Sequence, residues 1–424
     1  MSTPPPPSLT DPVSAYPELR AFSENLCAPL EPEDLVPQSM PDASPTKWHL
    51  AHTTWFFETF LLETFEPGFR PFHPDFRFLF NSYYNAVGER HARPGRGLLT
   101  RPTLAEVFAY RRAVDERVQK LCQELDDEAR TEALRIIELG LHHEQQHQEL
   151  MLTDLKHLFA QNAMGPSYRA ALAASDSAPS SMGWQNHSEG VFEIGHRGEG
   201  FAFDNESPTH RVFLGAFALA DRLVANAEYL DFIEDGGYRR PELWLSMGWS
   251  RVQEEGWQRP LYWKRDGDRY REFTLAGWRE LAPDEPVSHL SFVEAHAFAT
   301  WAGARLPREA EWEVACGSQP VEGNFIDSGR AHPAPAADGG KGGLRQLFGD
   351  LWEWTQSAYA PYPGYRPTEG ALGEYNGKFM CEQLVLRGGS CASSRSHLRA
   401  SYRNFFYAAD RWQFSGLRLA KDLS

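Results

Sequence analysis

Between Gln161 and Gly183 the sequence turns small and polar, with Gly165-Pro166-Ser167 followed by Ser175-Asp-Ser-Ala-Pro-Ser-Ser, and the periodicity of the chain changes across it. A stretch of this composition neither packs a core nor sustains a helix, so it marks a boundary. Upstream, apolar residues recur at helical spacing; downstream they come in short alternating runs broken by Gly and Pro. At 424 residues the chain exceeds what one ordinary core organises. Two domains are expected: a helical one over 1–165, a linker over 166–183, and an α+β one over 184–424.

The first domain reads as a four-helix bundle. Tyr16–Cys27 is one helix. From Pro45 the run Thr46-Lys-Trp-His-Leu-Ala-His-Thr-Thr-Trp-Phe-Phe sets apolar side chains at 48, 51, 55, 56 and 60, and Phe65–Gly68 ends it. Thr103–Leu125 begins with a capping box, Thr103 and Glu106. Thr131–Ala160 runs for more than about seven turns. Bundles of this kind build metal sites from side chains that face inward. In the second domain, short strands such as Val191–Gly195 and His210–Leu219 mix with helical stretches at Ala227–Ile233 and Ser291–Ala302, without internal repeats.

The net charge of −16, from 58 acidic against 42 basic residues, argues against nucleic acid or an anionic membrane as partner. A cationic or zwitterionic small molecule fits better, and 13 Trp, 15 Tyr and 27 Phe provide faces for it. Five scattered cysteines form neither a disulfide framework nor a CxxC cluster. No apolar run reaches 18 residues, and the opening MSTPPPPSLTDPV lacks a basic and an apolar leader region. A soluble cytoplasmic protein is therefore expected.

The segment Leu141-His-His-Glu-Gln-Gln-His-Gln-Glu lies in the longest predicted helix. His143 and His147 are four apart, so they project from one face a turn apart, the spacing at which two imidazoles grip one cation. A third ligand must come from elsewhere, and Trp48-His49-Leu-Ala-His52 offers either of two histidines. Hydrogen bonding inside the bundle is the ordinary use of a lone histidine; a pair facing a second His-rich helix favours a metal. The same residues satisfy H-E-x-x-H, which in zinc proteases makes Glu144 a general base. That extension fails here: Leu150 and Thr153 stand where a metzincin has Gly and His, and no Glu lies between 149 and 189. Asp154, on the same helical face, is a candidate outer partner or carboxylate ligand. Three neutral imidazoles suit Fe(II), Zn(II) or Ni(II) alike, so spacing does not choose the ion.

Trp48-His-Leu-Ala-His52-Thr-Thr-Trp together with His143-Glu-Gln-Gln-His147 resembles the metal-binding half of DinB-like bundles. Leu306-Pro-Arg-Glu-Ala-Glu-Trp-Glu, Phe348-Gly-Asp-Leu-Trp-Glu-Trp-Thr, Leu386-Arg-Gly-Gly-Ser390 and Gly416-Leu-Arg-Leu-Ala resemble the formylglycine-generating-enzyme (FGE-sulfatase) domain, a C-type-lectin-like fold. In tandem they resemble the ergothioneine-biosynthesis sulfoxide synthases over nearly the whole chain. The chain departs from formylglycine-generating enzymes at their cysteine pair, since Cys391 follows Ser390 and position 396 is Ser. Copper–thiol chemistry on this domain is not expected, and Cys391 is expected to be a small buried side chain.

The resemblance implies a mononuclear Fe(II) on His52, His143 and His147. It implies an O₂-dependent reaction joining cysteine or γ-glutamylcysteine to the imidazole C2 of hercynine, with oxidation of the sulfur to the sulfoxide. Gln146 matches a residue that binds hercynine, and Asn404, Phe405 and Phe406 resemble the segment that cradles it. Arg93 and Arg96 resemble the pair that clamps the thiol substrate's carboxylate, a group that a guanidinium fork fits. Tyr84, then Tyr83, are the candidate phenols that give up a proton or hydrogen atom during C–S bond formation; in actinobacterial members that phenol comes from the C-terminal domain. Rival readings are a selenoneine synthase of the same architecture, a DinB-type thiol transferase that uses no O₂, and a module that binds metal and ligand without turnover.

Overall fold

The computed structural model describes residues 9–172, 177–337, 343–374 and 376–423. The chain divides into two compact units, Met1–Arg169 with Thr368–Tyr375, and Ala170–Pro367 with Asn376–Ser424. Among the described residues no helix is long and apolar enough to cross a membrane, and all five cysteines are free thiols.

The first unit is built on α1 (Pro12–Cys27), α2 (Thr46–Phe56), α3 (Leu104–Glu124) and α4 (Asp127–Ala160). Helix α1 packs on α4, and α2 packs on both α3 and α4. The predicted capping box on α3 forms: Thr103 Oγ1 accepts from the Glu106 N–H at 3.2 Å and Glu106 Oε2 from the Thr103 N–H at 2.6 Å. Helix α4 starts at Asp127 rather than Thr131, because Asp126 caps it by accepting from the Ala129 N–H at 2.9 Å. Asp127 and Glu128 then suit the positive end of the helix dipole. Helix α2 continues through a widened π-helical turn, Phe57–Leu62, and a last short piece, Glu63–Phe65. Such insertions cluster near functional residues because they re-aim the side chains around them.

Two features hold α4 in place. A β-carbon on Gly140 would lie 2.4 Å from Phe57 Cε1 and 2.9 Å from Phe56 Cε1, so only glycine lets α2 pass this closely. Gly140→Ala is expected to destabilise the protein by ~1–3 kcal/mol despite the better helix propensity of alanine, because rigid rings must move. Urea unfolding checks it, and an unchanged or raised midpoint would refute the close-approach argument. The second feature is ionic. Glu144 is buried, accepts from Arg20 Nη1 at 2.8 Å, Arg111 Nη2 at 2.5 Å and Ser23 Oγ at 2.6 Å, and so ties α1, α3 and α4 together. Arg20 also reaches Thr54 Oγ1 on α2 at 2.8 Å and Asp115 on α3 at 2.7 Å.

In the second unit, Phe217–Ala220 lies between Trp184–His187 and Ala420–Asp422 in an antiparallel sheet, so the end of the chain pairs beside the start of the unit. A second sheet runs Asn404–Tyr407, Gln383–Arg387, Trp352–Ala358, Ser415–Gly416, with the last pairing parallel. Helices Phe292–Trp301 and Glu309–Cys316 cover a core containing Trp312, Trp352 and Trp354. The lectin-like motifs turn out to be partners of one another. Arg418 forms a two-pronged pair with Glu353, both prongs 2.8 Å and both residues fully buried. Arg387 reaches Glu309 and Glu313, each at 3.0 Å. Gly388 and Gly389 adopt φ of 98° and 85°, which lets the chain turn tightly past Leu347 and Leu398.

Candidate metal centre

Helix α2 carries His52 one turn before the widened segment, and α4 carries His143 and His147 on adjacent turns. The three side chains converge, with one nitrogen from each imidazole within 4.8 Å of the others and all three buried. His52 Nε2 lies 3.2 Å from His143 Nε2. That separation is less than twice the ~2.1 Å metal–imidazole bond, so one ion fits against both nitrogens.

The hydrogen-bond network assigns the tautomers of two ligands. The backbone carbonyl of Phe80 only accepts and sits 2.6 Å from His52 Nδ1, so Nδ1 carries the proton and Nε2 keeps its lone pair for an ion. The Asp154 carboxylate sits 3.0 Å from His49 Nε2, which therefore donates. A neutral His49 then has a bare Nδ1, 2.8 Å from His147 Nδ1, so His147 donates there and its Nε2 is left facing the ion position. Spacing left His49 and His52 open as the third ligand and the family resemblance pointed to His52; the geometry clusters His52 with His143 and His147 and sets His49 behind them. Burial drives the imidazole pKa values down, His143 to about 3, and mutual proximity lowers His52 and His147 further. All three are neutral at physiological pH, the form that binds metal. Donor type, convergence and protonation state fit a divalent transition ion.

Glu144 does not face this site. Burial alone would raise its pKa, but Arg111 and Arg20 override that and hold it at about 2. A carboxylate so tied is no general base, and the H-E-x-x-H protease reading fails on geometry as well as spacing.

Around the triad stands a ladder of flat groups. The Arg96 guanidinium lies 3.3 Å over the Trp48 ring, Trp48 stacks on His52 at 4.6 Å and 13°, and His52 stacks on Trp55 at 5.4 Å and 17°. Arg96 is buried, donates to Ser44 Oγ at 2.8 Å, and has no carboxylate partner among the described residues. Burial and the neighbouring Arg93 hold its pKa well below that of a free guanidinium. Arg93 itself is exposed and donates to the Asp42 carbonyl. Tyr84 is fully buried against Trp55 and Phe60, with ring centroids 5.6 and 5.1 Å away, and the Tyr83 ring packs beside it, tilted by 30° at 4.7 Å. Its loop is fastened by Glu374, which accepts from the N–H groups of Asn85 at 3.0 Å and Ala86 at 2.7 Å. Gln146 is half-buried on α4, next to His147. In the second unit, Asn404, Phe405 and Phe406 form a half-buried strand, with Phe405 stacked on Tyr359 at 4.1 Å. Sequence reasoning missed Phe80, Ser44 and Glu374, which act from loops or through backbone groups and leave no periodic signal.

A second cluster, Glu272, Glu285 and His332, lies buried in the second unit. Arg279 fills it, 2.6 Å from Glu272 and 2.7 Å from His332, and Arg330 pairs with Glu285. Its charges are balanced by protein groups, as an ion-pair network requires.

Two family models match the chain, the DinB superfamily over residues 16–151 and the sulfatase-modifying factor enzyme 1-like domain over residues 185–423. The chain is also 32% identical over 420 residues to the hercynine oxygenase of Mycolicibacterium thermoresistibile, covering 92% of this chain and 90% of that relative. This chain belongs to the hercynine oxygenase family. The hercynine oxygenase of Mycobacterium tuberculosis is 33% identical over 412 residues, covering 92% of this chain and 94% of the relative. The formylglycine-generating enzyme of Bos taurus is 28% identical over 248 residues, covering 49% of this chain and 65% of that protein. Within the hercynine oxygenase family, the DinB-like half of this member carries the imidazole triad. Cys391 in its other half is fully buried.

Proposed function

We propose that this protein is an iron(II)-dependent sulfoxide synthase of ergothioneine biosynthesis, acting on hercynine and a thiol, either cysteine or γ-glutamylcysteine. The observation that carries the proposal is the buried, neutral imidazole triad beside a buried arginine with no carboxylate partner among the described residues. The overall change is thiol plus hercynine plus O₂ giving the C2-linked sulfoxide and water. One oxygen atom ends on sulfur, and the thiol hydrogen and the C2 hydrogen leave in the water.

His52, His143 and His147 would hold the iron, which supplies O₂ activation and a position for the sulfur. The protein does the placing. Arg96, braced flat on Trp48 one ring from His52, takes the thiol substrate's carboxylate, with the exposed Arg93 as a second cation for it. Gln146 orients the hercynine imidazole. In the second unit, Asn404, Phe405 and Phe406 would offer, in the two Phe rings, aromatic faces of the kind a trimethylammonium group prefers by about 0.5–2 kcal/mol. Tyr84, and after it Tyr83, holds the phenolic proton spent during C–S bond formation, and burial raises the Tyr84 pKa so that it stays protonated.

Arg96→Leu is expected to raise KM for the thiol by roughly 10–100-fold, the worth of a charge-assisted hydrogen bond of about 1.5–3 kcal/mol. Its effect on stability should be small, since among the described residues losing the guanidinium strands no carboxylate and gives up only a hydrogen bond to Ser44 Oγ and the Trp48 face. Steady-state kinetics and urea unfolding check both halves; an unchanged KM would refute the carboxylate assignment. The proposal as a whole is tested by oxygen-electrode and mass-spectrometric assays with Fe(II), hercynine and each thiol, with and without air. O₂ uptake matched to a C2–S sulfoxide product supports it. Product formed without O₂, as a thiol transferase would give, contradicts it.

A further inference from the structure

We infer that Asp154, acting through His49, sets how strongly His147 donates to the ion, an inference that rests on the metal reading above. Asp154, His49 and His147 are each at least nine-tenths buried, with relative exposures of 6%, 2% and 9%. Asp154 Oδ2 accepts from His49 Nε2 at 3.0 Å, and His49 Nδ1 accepts from His147 Nδ1 at 2.8 Å. The same oxygen accepts from the Ser44 N–H at 2.8 Å, which fixes the carboxylate against the turn leading into α2.

The triad is therefore asymmetric. His52 is backed by a neutral carbonyl, that of Phe80. His147 is backed by an anion, relayed through a second imidazole. In a buried setting hydrogen bonds polarise one another along a chain, and a carboxylate at the far end makes the ligating imidazole a stronger donor. A stronger donor tightens the bond to a cation and favours the more highly charged oxidation state. Ser44 joins this relay to the substrate side as well, because its hydroxyl accepts from Arg96 at 2.8 Å while its N–H holds Asp154. Asp154 and His49 are thus positioning residues that neither touch substrate nor bind the ion.

Asp154→Asn separates charge from geometry, since the amide oxygen can accept from both His49 and Ser44 while the negative charge is gone. Metal-free protein is titrated anaerobically with Co(II) and Fe(II) against a competing chelator, and the reduction potential of the iron form is measured without substrates. The variant is expected to bind either ion roughly 10–100-fold more weakly than wild type, in line with other outer partners of metal-ligating histidines. Its potential is expected to rise, with the thermal midpoint of the metal-free protein unchanged. A purely structural tie would move neither affinity nor potential in Asp154→Asn, and that result overturns the inference. Should Asp154→Asn fold poorly, His49→Leu makes the same test, because it has no polar group to relay the Asp154 charge to His147. Wild-type protein that takes up neither ion would bring down the metal reading, and the relay with it; tight wild-type binding beside an unaffected variant sinks the relay alone.

Discussion

Replacing His147 with alanine is expected to abolish retention of the proposed iron, occupancy after anaerobic desalting falling from one ion per chain to background while the far-UV circular dichroism stays that of wild type. The two halves of this result have separate causes. Ligation ends because only two of the three clustered imidazoles remain, those of His52 and His143 with nitrogens 3.2 Å apart. The fold survives because the imidazoles are not what holds α2 against α4: Trp55, Phe56, Phe57, Leu141 and Leu152 are almost wholly buried and remain. His143→Ala should behave in the same way. Inductively coupled plasma mass spectrometry reads the first half directly, and full iron occupancy in either variant would refute the ligand assignment.

The largest expected effect on stability comes from the neighbour of a ligand. Glu144→Leu leaves Arg20 and Arg111 buried, at 2% and 0% exposure, without the carboxylate that both address. Removing one partner from a buried ionic cluster costs about 3–5 kcal/mol, because the stranded charge has no water to return to. Typical domains hold only ~5–15 kcal/mol in total, so this variant should unfold at a far lower urea concentration than wild type. Combining it with Arg20→Leu is expected to recover part of the loss, since one stranded cation then disappears, and the coupling between the two substitutions measures their contact. A Glu144→Leu protein as stable as wild type would contradict the ionic tie. It would also reopen a chemical role for this carboxylate.

The sequence carried some of this plainly and some not at all. The i,i+4 histidines on α4 were legible because a regular helix converts spacing into direction, and the metal-protease reading failed for the same reason. The choice between His49 and His52 was not legible from spacing, and only the family resemblance pointed to His52. It depends on Phe80 and Asp154, one a backbone carbonyl in a loop and the other a side chain on a separate helix, so no local pattern records it. The charged residues of the lectin-like motifs were visible as recurring words, but that Arg418 pairs with Glu353 and Arg387 with Glu309 emerges only when distant strands meet. The grouping of Thr368–Tyr375 with the helical unit likewise breaks the linear order that a composition boundary assumes. Arg96 shows the remaining limit: the resemblance singled out its guanidinium for a carboxylate, but its burial against Trp48 has no local pattern and comes from the fold.

X-ray absorption at the iron edge of anaerobically loaded protein, before any substrate is added, tests the central claim most directly. The account predicts three imidazole nitrogens at about 2.0–2.2 Å, with water-like oxygen in the other positions, and loss of imidazole scattering in His52→Ala. A shell containing sulfur or a protein carboxylate in place of an imidazole, or a spectrum indifferent to His52, would contradict it.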